Sequence, residues 1–231
     1  MVLVQEAGGK GRNGRKGRKV VRFCPFFLFY PHYLYHAAMP EHGKLVLIIG
    51  PSGVGKSVIL KSLRAKHPEF VFPRSATTRE RRPGEGDDLY HFVSEADFTN
   101  WLHEGKFLEW AQVHKGAHYG TLLSEIIPPI ESGKTVVREV DAQGFQSISK
   151  DLLFGPGGKY QLHTIFILPE SAEQLIGQIQ KRAPMPAEEL ERRLTSMREE
   201  LKIAEKTDVQ IKNPHGKLEE TIQAVEKAIR V

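Results

Sequence analysis

Residues 50–58 read "GPSGVGKSV" and directly follow the apolar run "KLVLIIG" (44–50). A short β-rich apolar run ahead of a loop suits a buried parallel strand. The loop then fits G-x-x-x-x-G-K-[ST] through Gly50, Gly55, Lys56 and Ser57, with Pro51, Ser52, Gly53 and Val54 between. Glycines let the backbone curl so that successive N–H groups face inward toward phosphate oxygens. A helix expected over 56–66 points its N-terminus at the same anion. Lys56 suits the β- and γ-phosphates of a nucleoside triphosphate, and the Ser57 hydroxyl suits Mg²⁺. A chance glycine turn rarely falls between an apolar strand and a helix, so the stretch is read as a nucleotide-binding loop.

Downstream, apolar runs alternate with helical segments. Strands are expected at 107–113, 134–140, 163–168 and 208–213. Helices are expected at 94–104, with Ser94 as its N-cap and Asp97 three residues on, and at 121–131, 170–181, 187–206 and 216–230. Strands alternating with helices predict a parallel sheet covered on both faces. "RAPMPAE" (182–188) is a proline-rich break between two helices.

The chain has 231 residues, 40% hydrophobic and 26% charged, which suits one globular domain with appendages. Its formal net charge is +5, but residues 1–38 hold seven of the 33 bases and one of the 28 acids. That leaves a nearly neutral body of 26 bases against 27 acids, which argues against nucleic-acid binding by the folded surface. The glycine-rich, basic head is expected to be disordered. Its aromatic continuation, broken by Pro25 and Pro31, is too interrupted for a membrane span. The head reads as a leader ahead of Met39, or alternatively as an organelle transit segment. The single cysteine, Cys24, lies there too, so the body has neither disulfides nor a cysteine metal site.

"SATTRERRPGEGDDLYHF" (75–92) crowds Arg79, Arg81 and Arg82 near Ser75, Thr77, Thr78 and Tyr90. Arginine clusters are commonly solvated loops. Guanidinium forks interleaved with hydroxyls also match phosphate oxygens bidentately. A second phosphate site beside the first suggests a kinase whose acceptor is itself phosphorylated. "VREVDAQG" (137–144) carries Glu139 and Asp141 two residues apart, expected on one strand face. They suit water-mediated Mg²⁺ ligation or acceptor contact, and Asp141 equally suits capping the next helix.

At this point the chain resembles the guanylate kinase family, from about residue 44 to the C-terminus. The motifs that carry the resemblance are "GPSGVGKS", "SATTR", "RPGE", "YHFVS", "FLEWA", "YGT" and "VDAQG". The resemblance implies an α/β fold with a P-loop core and a parallel sheet flanked by helices. It also implies an inserted GMP-binding lobe at about 75–125 and a helical lid at about 178–195. It implies transfer of a phosphoryl group from ATP to GMP or dGMP with Mg²⁺, in a cytoplasmic enzyme without membrane or nucleic-acid partners. By position, Arg79, Arg82, Tyr90 and Tyr119 match the group that holds the GMP phosphate. Ser75, Glu109 and Thr121 match the readers of guanine, and Glu139 and Asp141 lie near GMP and the metal. Arg182 and Arg193 match lid arginines over the ATP phosphates, and Asn213 matches an adenine contact. A carboxylate at Glu109 accepts from guanine N1–H and N2–H₂, a donor pair adenine lacks.

The chain departs from the family pattern at Leu89, where an acid is usual, and at Arg138, where an apolar residue is usual. It also departs at Gln178, at Ala183 and Pro184, and in a longer "HKGAH" stretch (114–118). Two other functions fit parts of the sequence: a same-fold kinase of ribose 1,5-bisphosphate, and a non-catalytic phosphopeptide-binding module.

Overall fold

The computed structural model describes residues 42–112, 116–171, 176–177 and 187–231. Fourteen elements are described: β1 (Lys44–Ile49), α1 (Lys56–Lys66), β2 (Ser75–Thr77), β3 (Tyr90–Phe92), α2 (Glu95–His103), β4 (Phe107–Gln112), β5 (His118–Leu122), α3 (Leu123–Glu131), β6 (Val136–Glu139), α4 (Ala142–Ile148), β7 (Gln161–Pro169), α5 (Ala187–Ala204), β8 (Val209–Asn213) and α6 (Leu218–Ile229).

Four strands form an all-parallel sheet in the order β6-β1-β7-β8. β1 is buried on both faces, which explains its unbroken apolar sequence. Leu45, Leu47 and Ile49 pack to one side with Ile126, Ile130, Phe145, Ile148 and Phe166. Val46 and Ile48 pack to the other with Ile59, Leu63, Ile222 and Val225. The expected two-sided α/β core is therefore present, with α3 and α4 over one face and α1 and α6 over the other.

A second sheet runs β3-β2-β5-β4. Its β2–β5 and β5–β4 pairs are antiparallel, and β2–β3 is parallel. A small core of Ala76, Phe98 and Leu122 backs it, with Phe107 and Trp101 packed alongside. α2 starts as its sequence predicts: the Ser94 side chain accepts from the Asp97 N–H, capping the helix.

Several expectations need adjustment. Residues 118–122 form a strand, so the helix expected from 121 starts at 123. β6 ends at Glu139, so Asp141 does not share its strand face. Asp141 instead caps α4, its Oδ1 accepting from the Gly144 N–H at 2.8 Å. The head at 1–38 lies outside the described residues, as do most of the expected helix at 170–181 and the first half of the expected lid, whose second half is the start of α5. Among the described residues no helix is long and apolar enough to cross a membrane.

Candidate active site

The glycine-rich loop leaves β1 and enters α1. Gly50, Gly53 and Gly55 adopt φ of 148°, 91° and 104°, which side chains strongly disfavour. A Cβ on Gly50 would stand 2.5 Å from the Ile167 carbonyl oxygen, so that glycine also answers a close approach. Lys56 is 8% exposed, and its Nζ donates to the carbonyls of Gly50 (2.5 Å) and Pro51 (3.2 Å). Thus the lysine is folded back across its own loop. Asn213, at the end of β8, donates from Nδ2 to the Val54 carbonyl at 2.8 Å and accepts from Thr221 at 2.9 Å. The amide braces the loop from beneath.

Glu139 links this loop to β6. Its Oε2 accepts from Ser57 Oγ at 3.3 Å, and its Oε1 lies 3.8 Å from Lys56 Nζ. A hydroxyl and a carboxylate side by side form a hard-oxygen pair. Among the described residues no cluster of three or more His, Cys, Asp or Glu could hold a metal ion unaided.

Across the second sheet, register alone assembles a polar row. Ser75 pairs with Thr121, and Thr121 pairs with Glu109. Three residues spread over 46 positions therefore stand side by side on adjacent strands. A register shift between Phe107 and Glu109 re-aims the β4 side chains there. Thr121 is fully buried, and its hydroxyl donates a short hydrogen bond to Glu109 Oε1.

Arg138 approaches the same carboxylate from β6. Its Nη2 lies 3.6 Å from Glu109 Oε1, and the two side chains are 13% and 11% exposed. Burial pulls the Arg138 guanidinium below its usual range, and the nearby Glu109 and Glu139 charges oppose that.

Three of the four expected phosphate-site residues meet. Arg79 Nε donates to the Tyr119 hydroxyl at 3.0 Å, and the Tyr90 and Tyr119 rings meet edge-on at 6.0 Å. Arg79 also stacks against Tyr90 at 5.3 Å. Its charge is held by Glu85, whose hydrogen bond raises the Arg79 pKa above its ordinary value. Burial pushes the Tyr90 hydroxyl up as well. Arg82 is exposed; its backbone N–H donates to Glu85 Oε2 at 3.0 Å. Sequence reasoning passed over Glu85, although it stands in the "RPGE" motif, and it treated Arg138 as a departure without a role. The Arg79–Glu85 pair closes within the loop between β2 and β3, whereas only the meeting of β4 and β6 sets Arg138 against Glu109.

A cavity of about 950 Å³ lies between α1, the second sheet and β6. Ser57, Lys61, Ser75, Tyr90, Arg138 and Glu139 are among its walls. A space large enough for a mononucleotide thus touches both Ser57 of the glycine loop and the second sheet. Of the expected lid arginines, Arg182 lies outside the described residues. Arg193 lies on α5, and its side chain is likewise outside them.

The guanylate kinase family model matches residues 42–231. The chain belongs to the guanylate kinase family. It is 38% identical over 191 residues to a guanylate kinase of Nostoc sp., covering 82% of this chain and 91% of that one. It is 39% identical over 195 residues to a guanylate kinase of Thermosynechococcus vestitus, covering 84% and 96% respectively. The crystal structure of guanylate kinase from Anaplasma phagocytophilum shares the fold, with a TM-score of 0.60 at 23% identity over 83% of this chain and 87% of that one. Membership of the guanylate kinase family makes this chain a nucleotide kinase, a transferase that takes a phosphoryl group from ATP and passes it to GMP.

Proposed function

We propose that the chain phosphorylates GMP and dGMP with Mg²⁺·ATP, as a cytoplasmic enzyme of purine nucleotide metabolism, using the residues described above. One observation carries the residue assignment. Neighbouring positions on β6 touch both halves of the site: Glu139 reaches Ser57 and Lys56, while Arg138 reaches Glu109.

In this reading, residues 75–125 hold GMP and Gly50 to Ser57 hold ATP. Ser75, Glu109 and Thr121 read guanine. Glu109 accepts from N1–H and N2–H₂, and adenine would leave that carboxylate unpaired. Arg79, Tyr90 and Tyr119 hold the acceptor phosphate, and exposed Arg82 swings onto it. Because that phosphate is already anionic, no general base is needed. Positioning and charge stabilisation supply the catalysis.

Lys56 leaves its two carbonyls for the β- and γ-phosphates. Asn213 sits beside the ATP site as a brace of the loop. Mg²⁺, when bound, neutralises phosphate charge and orients the donor. Ser57 would be its protein ligand, and Glu139, whose Oε2 accepts from Ser57 Oγ, would hold its waters; Asp141, which caps α4, is assigned to those waters on the family resemblance alone. Arg182 and Arg193 are assigned to the transferring phosphoryl group on the family resemblance, within a lid at about 178–195.

A coupled assay with ATP and GMP, dGMP, AMP or ribose 1,5-bisphosphate, with and without Mg²⁺, tests the proposal. Turnover with GMP and dGMP alone, abolished by chelator, is expected. Turnover with ribose bisphosphate and none with GMP would replace the acceptor assignment. Phosphopeptide binding without any turnover would remove the kinase reading altogether.

A further inference from the structure

We propose that Arg138 is a positioning residue of the acceptor site, holding the Glu109 carboxylate in the pose that meets the guanine edge. The inference rests on the reading of Glu109 as guanine's partner.

Arg138 occupies a place where packing favours an apolar side chain. It pairs with Leu47 across β1 and shares a strand face with Val136, which is fully buried. Its Nε is buried and has no hydrogen-bond partner among the described residues. A buried guanidinium with an unsatisfied donor is costly, and an apolar residue of similar volume would avoid that cost. What the cation supplies is a counter-charge. Among the described residues, Arg138 is the cation within ion-pair distance of Glu109.

The two side chains converge on one oxygen. Glu109 Oε1 receives the Thr121 hydroxyl and faces Arg138 Nη2 at 3.6 Å. Oε2 points toward the start of α4, 3.6 Å from where a Cβ on Gly144 would stand. The other ionisable groups nearby are engaged elsewhere. Glu139 turns to Ser57 and Lys56, Asp141 caps α4, and Tyr90 packs on Arg79 and Tyr119. With one oxygen held from two sides, the carboxylate's swing is restricted, and its two oxygens are held for the guanine edge together. GMP uses both, through N1–H and N2–H₂. IMP lacks the exocyclic amine and uses one. Arg138 therefore contributes to the preference for GMP over IMP.

Steady-state kinetics with GMP and IMP on wild type, R138L, R138K, E109Q and the E109Q/R138L double variant test this. R138L is expected to raise KM for GMP on the order of tenfold, a size typical of coupling between contacting charged groups. The GMP-over-IMP ratio of kcat/KM should fall by about fivefold, while kcat and the KM for ATP stay within about twofold. R138K, which keeps the charge, should retain most of the preference. In the E109Q background, R138L should add less than about twofold. If R138L does not fold, R138Q carries the same test with a neutral side chain of similar length.

Equal losses for GMP and IMP, or an undiminished effect in the E109Q background, would overturn the role of Arg138 while leaving Glu109 as the reader. An unchanged KM for GMP in E109Q alone would instead overturn the reading of Glu109.

Discussion

Both oxygens of Glu85 accept from one nitrogen of Arg79, Nη2, at 2.7 and 2.9 Å. The same guanidinium donates through Nε to Tyr119 and through Nη1 to the Glu80 carbonyl. Arg79 is thus oriented from three sides, and under the proposed function the acceptor phosphate would take the place of the Glu85 carboxylate. A planar fork can exchange one anion for the other without moving; an ammonium cannot keep all three contacts. Arg79→Lys should raise KM for GMP roughly ten- to a hundredfold, the range of one or two charged hydrogen bonds, and leave KM for ATP alone. Initial rates with each substrate varied in turn decide it. Parallel rises in both constants would mean that Arg79 merely scaffolds the sheet.

Lys56 offers a cleaner separation of binding from chemistry. Its Nζ donates to two loop carbonyls, bonds that the proposed function would exchange for bonds to phosphate oxygens. Lys56→Met should lower kcat by roughly a hundred- to a thousandfold, the scale of losing one preorganised charge at a transition state. Circular dichroism should show an unchanged fold. Surviving activity would mean that the glycine loop does not hold the donor phosphates.

Thr121→Val keeps shape and removes one hydroxyl. That hydroxyl donates to Glu109 from a fully buried position. The loss should be about 1.5 kcal/mol, or roughly tenfold in KM for GMP. Isothermal titration with GMP measures it directly. An affinity within twofold of wild type would show that Thr121 plays no part in orienting Glu109.

Gly120 is required for space. A Cβ there would stand 2.6 Å from the Phe107 ring and 3.2 Å from the Glu109 carbonyl oxygen. Gly120→Ala should therefore cost about 1–3 kcal/mol by overpacking. For a domain of this size that lowers Tm by several degrees, at about 2–4 °C per kcal/mol. Hydrogen exchange should locate the loosening in β4 and β5.

Glu125 ties the two sheets' connections together. Its Oε1 accepts from Arg74 Nη2 at 3.2 Å and meets His91 Nε2 at 2.7 Å. Burial works to raise its pKa, but the bonds from His91 and Arg74 outweigh that and hold it below the ordinary 4.5. A depressed carboxylate adds stability that is present above the unfolded value and is lost as the pH falls through the folded one. Urea melts of wild type and Glu125→Gln should therefore differ at pH 7 and converge progressively as the pH falls below 4.5. A gap that persists in acid would mean that the charge is not the source.

Part of the candidate site was legible in local sequence. Gly50, Gly55, Lys56 and Ser57 stand within one loop, and their spacing alone suits a loop that curls around a phosphate. β1 and β7 were legible because strands buried on both faces carry unbroken apolar runs. Ser94 was legible as a cap because its partner lies three residues on. By contrast, β2 and β3 are three residues each, and β5 interleaves glycine with polar residues. None carries a periodic signal long enough to read.

The pairing of those short strands is what the tertiary structure decides. Register brings Ser75, Thr121 and Glu109 into one row, and the approach of β6 sets Arg138 against Glu109 and Glu139 against Ser57. Sequence determined which side chains were available: hydroxyls, forks and carboxylates suited to phosphate and guanine. It did not determine that an arginine on an edge strand would find a carboxylate 29 positions earlier. That contact depends on two sheets meeting, and hydrophobic packing between distant segments, not local propensity, sets where they meet.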